Sequence, residues 1–284
     1  MIEVRQLSYT YPKGVVPAVR NLNFVVKEGE VFGFLGPSGS GKSTTQKILI
    51  GLLKAYQGEV RVLEYDLKHF RRDFYEEVGV SFELPHHFNK LTALENLRYF
   101  ASLYRKSVRD PMEVLEELGL HESADVPVGR FSKGMKNRLS LARSLMHSPS
   151  VLFLDEPSSG LDPVHVRKVK DIISSLRSAG RTVFLTTHDM SVADELCDRV
   201  GFIVDGQLRL TADPKALAIS HQEPVVLVKY VQENRVITAE FPLEGLGHNE
   251  AFLTSIRLHK VISIHSKDAT LEDVFIEVTG RNLV

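Results

Sequence analysis

No stretch of this chain constrains its fold more than Gly36-Pro37-Ser38-Gly39-Ser40-Gly41-Lys42-Ser43-Thr44, which fits the pattern G-x-x-x-x-G-K-[ST]. The run follows an apolar segment, Val31–Leu35, that reads as a strand. It opens a segment whose apolar Ile48, Leu49, Leu52 and Leu53 fall at helical spacing. Glycines let the backbone wrap closely around an anion with its N–H groups turned inward. The start of the helix adds partial positive charge. The pattern therefore reads as a cradle for a phosphate chain. Lys42 is placed to neutralise the β and γ phosphates of a nucleotide, and the Ser43 hydroxyl to ligate Mg²⁺.

The remaining pattern predicts an α/β fold around that cradle. Residues 2–35 read as strands separated by turns at Pro12–Gly14 and Glu28-Gly29. Residues 91–106, 110–119, 133–147 and 163–179 have helical periodicity. VLFLD (151–155) and TVFLTT (182–187) are short uninterrupted apolar runs, as expected of parallel strands covered on both faces. Strand followed by helix, repeated, implies a parallel-sheet core. Near residue 217 the pattern changes. EPVVLVKYV and RVITAEF read as a strand pair, followed by a helix, VISIHS, and a last helix that Thr270 caps with Asp273 on its first turn and Gly280 ends. Residues 1–217 are expected to form the main domain and 218–284 a small α+β appendage.

Two further sites carry chemistry. VLFLDE ends an apolar strand in Asp155 and Glu156, and this strand is expected directly beside the one that leads into the phosphate loop. Asp155 then reaches the Mg²⁺ shell, and Glu156 is placed to polarise an attacking water. TVFLTT ends at His188, positioned to hold Glu156 and that water in line. His86 and His87 lack such a context and receive no role.

Composition narrows the setting. The net charge is -1, which gives no reason to expect a nucleic-acid partner. The single cysteine, Cys197, excludes an internal disulfide. The apolar runs fall well short of the roughly 20 residues a spanning helix needs. The first residues, MIEVRQLSYTYPKG, have no charged leader followed by an apolar core, so no signal peptide is expected.

In this order the motifs resemble the ATP-binding subunits of ATP-binding-cassette (ABC) transporters, over about residues 1–215. FSKGM (131–135) occupies the place of the family's LSGGQ signature, and SSGLD (158–162) that of its D-loop. Phe131, Lys133 and Met135 depart from the signature, while Ser132 and Gly134 remain. The resemblance implies an α/β P-loop NTPase cassette with a parallel-sheet core, an N-terminal antiparallel β subdomain and a helical subdomain at about 84–147. It implies a nucleotide-binding set of Tyr11, with Tyr9 as the fallback, and residues 36–44. It implies Mg²⁺ held by Ser43, Asp155 and Glu83, the last standing where the family has its Q-loop glutamine. It implies catalysis by Lys42, Glu156 and His188.

Ser132, Lys133, Gly134 and Met135 would face the ATP of a partner cassette in a homodimer or heterodimer, and the D-loop Asp162 would help couple the two sites. Residues 83–106 would grip an integral membrane permease on a separate chain, although for most of the aromatics there (Phe88, Tyr99, Phe100, Tyr104) ordinary helix packing is the favoured reading. The chain would then sit peripherally on the cytoplasmic face of the cell membrane. The tail ATLEDVFIEVTGRNL, with Glu83 and the altered signature, further resembles the bacterial drug-resistance exporter ATPases of the daunorubicin kind. Two rival readings are a soluble ABC ATPase not coupled to transport, and a regulatory ATP-binding protein with little turnover. The retained Lys42, Asp155, Glu156 and His188 weigh against the second.

Overall fold

The computed structural model describes residues 1–84, 86–220, 225–266 and 270–281. Pro85, Glu223, Pro224, Ala269, Asn282 and Leu283, which belong to segments singled out from sequence, lie outside the described residues. The chain divides into two compact units. One comprises Met1–Pro214 with Val278–Val284, and the other Lys215–Glu277.

The first unit is built on two sheets. An antiparallel sheet orders β1 (Ile2–Tyr9), β2 (Val19–Val26), β4 (Gln57–Val62) and β5 (Tyr65–Asp66) as β2-β1-β4-β5. Burial alternates along β2, the mark of a sheet with one wet face. The second sheet contains β3 (Val31–Leu35), β6 (Val78–Ser81), β7 (Val151–Asp155), β8 (Thr182–Thr187), β9 (Arg199–Val204) and β10 (Gln207–Ala212), in the order β10-β9-β3-β8-β7-β6. Its strands run parallel except β10, which is antiparallel to β9. β3 and β8 are buried along their whole length, because both faces are covered.

This order corrects one expectation. The strand ending in Asp155 does not lie beside the strand leading into the phosphate loop, because β8 stands between β7 and β3. A run as apolar as TVFLTT is suited to the centre of the sheet, and there its C-terminal end separates the loop from the two carboxylates. At the same centre Phe184 of β8 packs against Phe24, Phe32, Phe34 and Phe153, with ring centroids 5.6–6.2 Å away.

Helices connect these strands, and most begin at a recognisable cap. α1 (Lys42–Leu49) follows Gly41. α2 (Ala93–Ala101) starts at a reciprocal Thr92–Glu95 box. α3 (Pro111–Glu117) starts at Asp110, α4 (Lys133–Leu145) at Ser132, α5 (Pro163–Ser178) at Asp162 and α6 (Met190–Leu196) at Asp189. α2 is shorter than the helix expected over 91–106. Past Ala101 the Ser102 hydroxyl turns back to the Tyr99 carbonyl at 2.7 Å, and the N–H groups of Arg105 and Lys106 donate to Glu76 instead of continuing the helix. α7 (Pro214–Ser220) starts on Pro214, the last residue of the first stretch of the first unit, and its remaining residues belong to the second.

The second unit has a three-stranded antiparallel sheet, β12-β11-β13, from β11 (Val225–Gln232), β12 (Arg235–Pro242) and β13 (Lys260–Ser266). Glu233 and Asn234, with φ of 49° and 60°, form the tight turn between β11 and β12. Its core joins Val226, Val228, Tyr230 and Phe241 to Phe252 of α8 (Glu250–Leu258). α9 (Leu271–Thr279) starts at Thr270, whose hydroxyl accepts from Asp273 N–H at 3.1 Å. It ends at Gly280, φ +65°.

Candidate functional site

The loop between β3 and α1 has little choice of residue at its glycines. A Cβ on Gly36 would lie 2.1 Å from the Ile203 carbonyl oxygen, and Gly41 adopts φ +109° with the Ala18 carbonyl 2.7 Å from where a Cβ would be. The Lys42 ammonium folds back onto the loop, donating to the Gly36 carbonyl at 2.6 Å and the Pro37 carbonyl at 3.1 Å. Burial holds its pKa below the usual lysine value, against the opposing pull of Glu156, Asp155 and Glu83. Its hydrogen-bond partners within the protein are thus neutral carbonyls, in a site whose nearby charges are carboxylates.

A cleft of about 1130 Å³ opens over this loop. Residues 37–44 line it together with Tyr11, Ala18, Glu83, Asp155, Glu156, His188, Asp205 and Arg281. The structure therefore brings Tyr11, the loop, Lys42, Glu83, both strand-end carboxylates and His188 to one place. Tyr11 is partly exposed, and its hydroxyl lies 3.2 Å from Thr44 Oγ1. Tyr9, the alternative from sequence, is a core residue 6% exposed, and it braces Tyr11 edge-on at 5.0 Å.

The end of β8 organises the two carboxylates. Thr186 Oγ1 donates to Asp155 and lies 3.4 Å from Gln46 Oε1 of α1. Thr187 Oγ1 donates to Glu156 Oε2 at 3.0 Å, and His188 Nδ1 lies 2.8 Å from Glu156 Oε1. Both Glu156 oxygens are thereby fixed. Glu156 is buried and has φ +48°, a left-handed conformation that costs a non-glycine residue on the order of 1 kcal/mol or more. Its N–H donates to the Thr186 carbonyl at 2.9 Å, and its carbonyl accepts from Ser159 N–H at 3.0 Å, so the turn is held from both sides. Burial pushes the Asp155 carboxyl up, Thr186 and Lys42 pull it down, and Glu156 and Glu83 push it further up. Thr186, Thr187 and Gln46 were not among the residues expected from sequence. Two consecutive hydroxyls before His188 are the signal, but their partners follow only from the strand order.

The signature residues lie elsewhere. Ser132 caps α4, its hydroxyl accepting from Met135 N–H at 3.2 Å, and Ser132 and Lys133 are exposed. Gly134 comes close enough to the Gly160 carbonyl that a Cβ would stand 3.2 Å from it, so the D-loop backs onto the signature. Asp162 accepts from Val164 and His165 N–H at 3.1 Å each, and its second oxygen pairs with His165 Nδ1 at 2.5 Å. Hydrogen bonds from His165 hold its carboxyl below the ordinary value. Ser132, Lys133, Gly134, Met135 and Asp162 are all absent from the lining of the cleft.

Comparison with known proteins identifies the family. A fluoroquinolones export ATP-binding protein of Mycobacterium tuberculosis is 53% identical over 284 residues, covering 100% of this chain and 94% of that protein. The chain belongs to the ABC transporter family. The family's sequence profile, described as ABC transporter, matches residues 19–159, and a second, described as fluoroquinolone efflux ABC transporter C-terminal domain, matches residues 224–268. A bacitracin transport ATP-binding protein of Bacillus licheniformis is 37% identical, covering 100% of this chain and 99% of its own. Among solved structures, a dimeric post-hydrolysis ATP-binding cassette bound to ADP and Pi superposes with a TM-score of 0.69 at 28% identity, covering 75% of this chain and 98% of that one. This ABC subunit is accordingly an ATP-binding, ATP-hydrolysing transport motor with an α/β P-loop cassette and an additional C-terminal unit.

Proposed function

We propose that this subunit powers export of a fluoroquinolone-like drug through a membrane permease carried on a separate chain, and that Glu156 orients the attacking water. The observation that carries the catalytic part is the pinning of both Glu156 oxygens, by Thr187 and His188, in the cleft that holds Lys42. A carboxylate fixed in this way loses little freedom when it accepts a proton from water. Residues 36–44 hold the phosphates, and Lys42 exchanges its loop carbonyls for the β and γ phosphates. Tyr11 stacks on the adenine, a contact worth roughly 1–3 kcal/mol for stacked bases.

Mg²⁺ fits the donors available. Ser43, Asp155 and Glu83 offer only oxygen, as a hard cation requires, and they line one cleft together with Glu156. When bound, the ion would draw charge off the phosphate oxygens.

In this reading Ser132, Lys133, Gly134, Met135 and Asp162 complete the ATP site of a second cassette, copy or relative, in a head-to-tail dimer. The exposure of Ser132, Lys133 and Asp162 outside the cleft of their own chain supports it. Among the described residues no helix is long and apolar enough to cross a membrane. The half-exposed Leu84, Phe88, Tyr99 and Leu103 offer an apolar surface to a permease at the membrane's cytoplasmic face. Phe100 and Tyr104 are engaged otherwise, under the Arg143 guanidinium at 4.5 Å and against the His147 ring at 4.1 Å. The full-length match to an export protein, including the C-terminal segment, supports the direction and the cargo class.

The test is to purify the chain with its accompanying multi-spanning protein from gently solubilised membranes, reconstitute both in vesicles and follow ATP-dependent fluoroquinolone movement. Movement that Glu156→Gln abolishes is expected. Equal movement by that variant, or an assembly with no membrane-spanning chain, would overturn the proposal.

A further inference from the structure

Two charged residues lining the cleft have no part in the chemistry above, Asp205 and Arg281. Asp205 opens the tight turn between β9 and β10, with φ +51°, and Gly206 follows at φ +74°. This turn is fastened to the phosphate loop. Gly206 N–H donates to the Ser40 carbonyl at 2.9 Å, and the Gly206 carbonyl accepts from Arg20 N–H at 2.7 Å. Gly206 also abuts Ala18 so closely that a Cβ would stand 2.7 Å from the Ala18 carbonyl oxygen.

The sheet order fixes which end of the cleft this is. β3, which feeds the loop, has β8 on one side and β9 on the other. The hydrolytic groups Glu156 and His188 follow β7 and β8. Asp205 follows β9, on the opposite side of the loop, beside Ala18.

Arg281 reaches this place from far along the sequence. The chain returns to the first unit at Val278, α9 ends, and the Arg281 N–H donates to Thr279 Oγ1 at 3.3 Å beyond Gly280. Its guanidinium donates to Asp205 Oδ2 at 2.7 Å. With side chains 56% and 50% exposed, the pair contributes little to stability, about 0–1 kcal/mol. What it does accomplish is orientation. A guanidinium has five N–H donors on a rigid plane, and among the described residues Asp205 is the single partner this one has. The remaining donors stand at the cleft wall.

We infer that Arg281, oriented by Asp205, is a nucleotide-binding residue that grips the nucleoside, through the ribose hydroxyls or the adenine ring, opposite the phosphate-cleaving end. Asp205 already balances its charge, which suits a neutral nucleoside better than a triphosphate. The inference rests on the cleft being the ATP site.

The experiment is equilibrium titration of the full chain with ATP and, separately, with inorganic tripolyphosphate, for wild type, Arg281→Ala and Lys42→Ala. The Arg281 and Asp205 side chains are both half-exposed, so folding should survive, and an unchanged melting curve serves as the control. Asp205→Asn, which keeps a hydrogen-bond acceptor for Arg281 and removes the balancing charge, provides a second variant. Arg281→Ala is expected to weaken ATP binding about tenfold, equivalent to about 1.4 kcal/mol, and to leave tripolyphosphate unchanged. Asp205→Asn is expected to show a smaller loss in the same direction, and Lys42→Ala to weaken both ligands. Unchanged ATP affinity in Arg281→Ala, with Lys42→Ala impaired, would overturn the inference and leave the cleft reading standing. Equal weakening of both ligands in Arg281→Ala would also overturn it, by moving the contact to the phosphates. Unchanged ATP affinity in both variants would overturn the cleft reading as well.

Discussion

Asp155 is held against its own ionisation. Burial raises its carboxyl above the ordinary range, and Glu156 and Glu83 add to the effect of burial. A carboxyl raised in the fold stabilises the protein below its unfolded value, and that stabilisation is lost as pH rises through the folded value. At neutral pH the ionised group therefore weighs against the fold until a cation compensates it. Asp155→Asn keeps an acceptor for the Thr186 hydroxyl and removes the charge. Without nucleotide it should raise Tm by about 2–4 °C, the shift that ~1 kcal/mol gives in a chain of this size. The gain should be present at pH 7 and shrink towards pH 4. Thermal unfolding at the two pH values checks this, and a lowered Tm at pH 7 would contradict it. The residues of the phosphate loop are legible in sequence because they are contiguous, and neighbouring carbonyls leave no room for a side chain at Gly36 and Gly41. Thr186, Thr187 and Arg281 are not, because each acts on a partner that only the folded chain brings near.

At the scale of elements, caps were the readable feature. Ser132 and Thr270 begin helices where sequence placed them. Strand order was less readable, since the apolar runs 151–155 and 182–187 look alike and either would serve as neighbour to β3. The hairpin of β9 and β10 carries an Asp-Gly turn, a usable signal that the reading from sequence passed over.

The central position of β8 has an energetic consequence. Phe184 touches aromatic rings from β2, β3 and β7, and removing it opens a cavity against the relatively rigid backbone of two sheets. Phe184→Ala should cost about 3–5 kcal/mol in urea unfolding; a loss under about 1 kcal/mol would show that the ring cluster is not the core of this unit. Ser132→Arg removes a cap worth about 1 kcal/mol and places a bulky cation on the signature surface. ATP binding should persist while hydrolysis and its cooperativity are lost. Unchanged turnover would argue against a role for that surface in a dimer.

For the whole molecule, the fold separates one kind of work from another. The cleft of the first unit gathers the groups proposed to bind and hydrolyse ATP, while the signature and D-loop residues are absent from it, which supports the proposed assembly with a second cassette. Burial also protects the chain's one thiol. Cys197 is 6% exposed and its pKa is pushed well up by desolvation. The motor reading depends above all on Glu156 and is tested most directly by phosphate release under saturating ATP, comparing wild type with Glu156→Gln after equal nucleotide binding has been established. Wild type should release phosphate steadily, and the variant at least ~100-fold more slowly, the scale of a lost general base. Equal rates in the two proteins would contradict the motor reading.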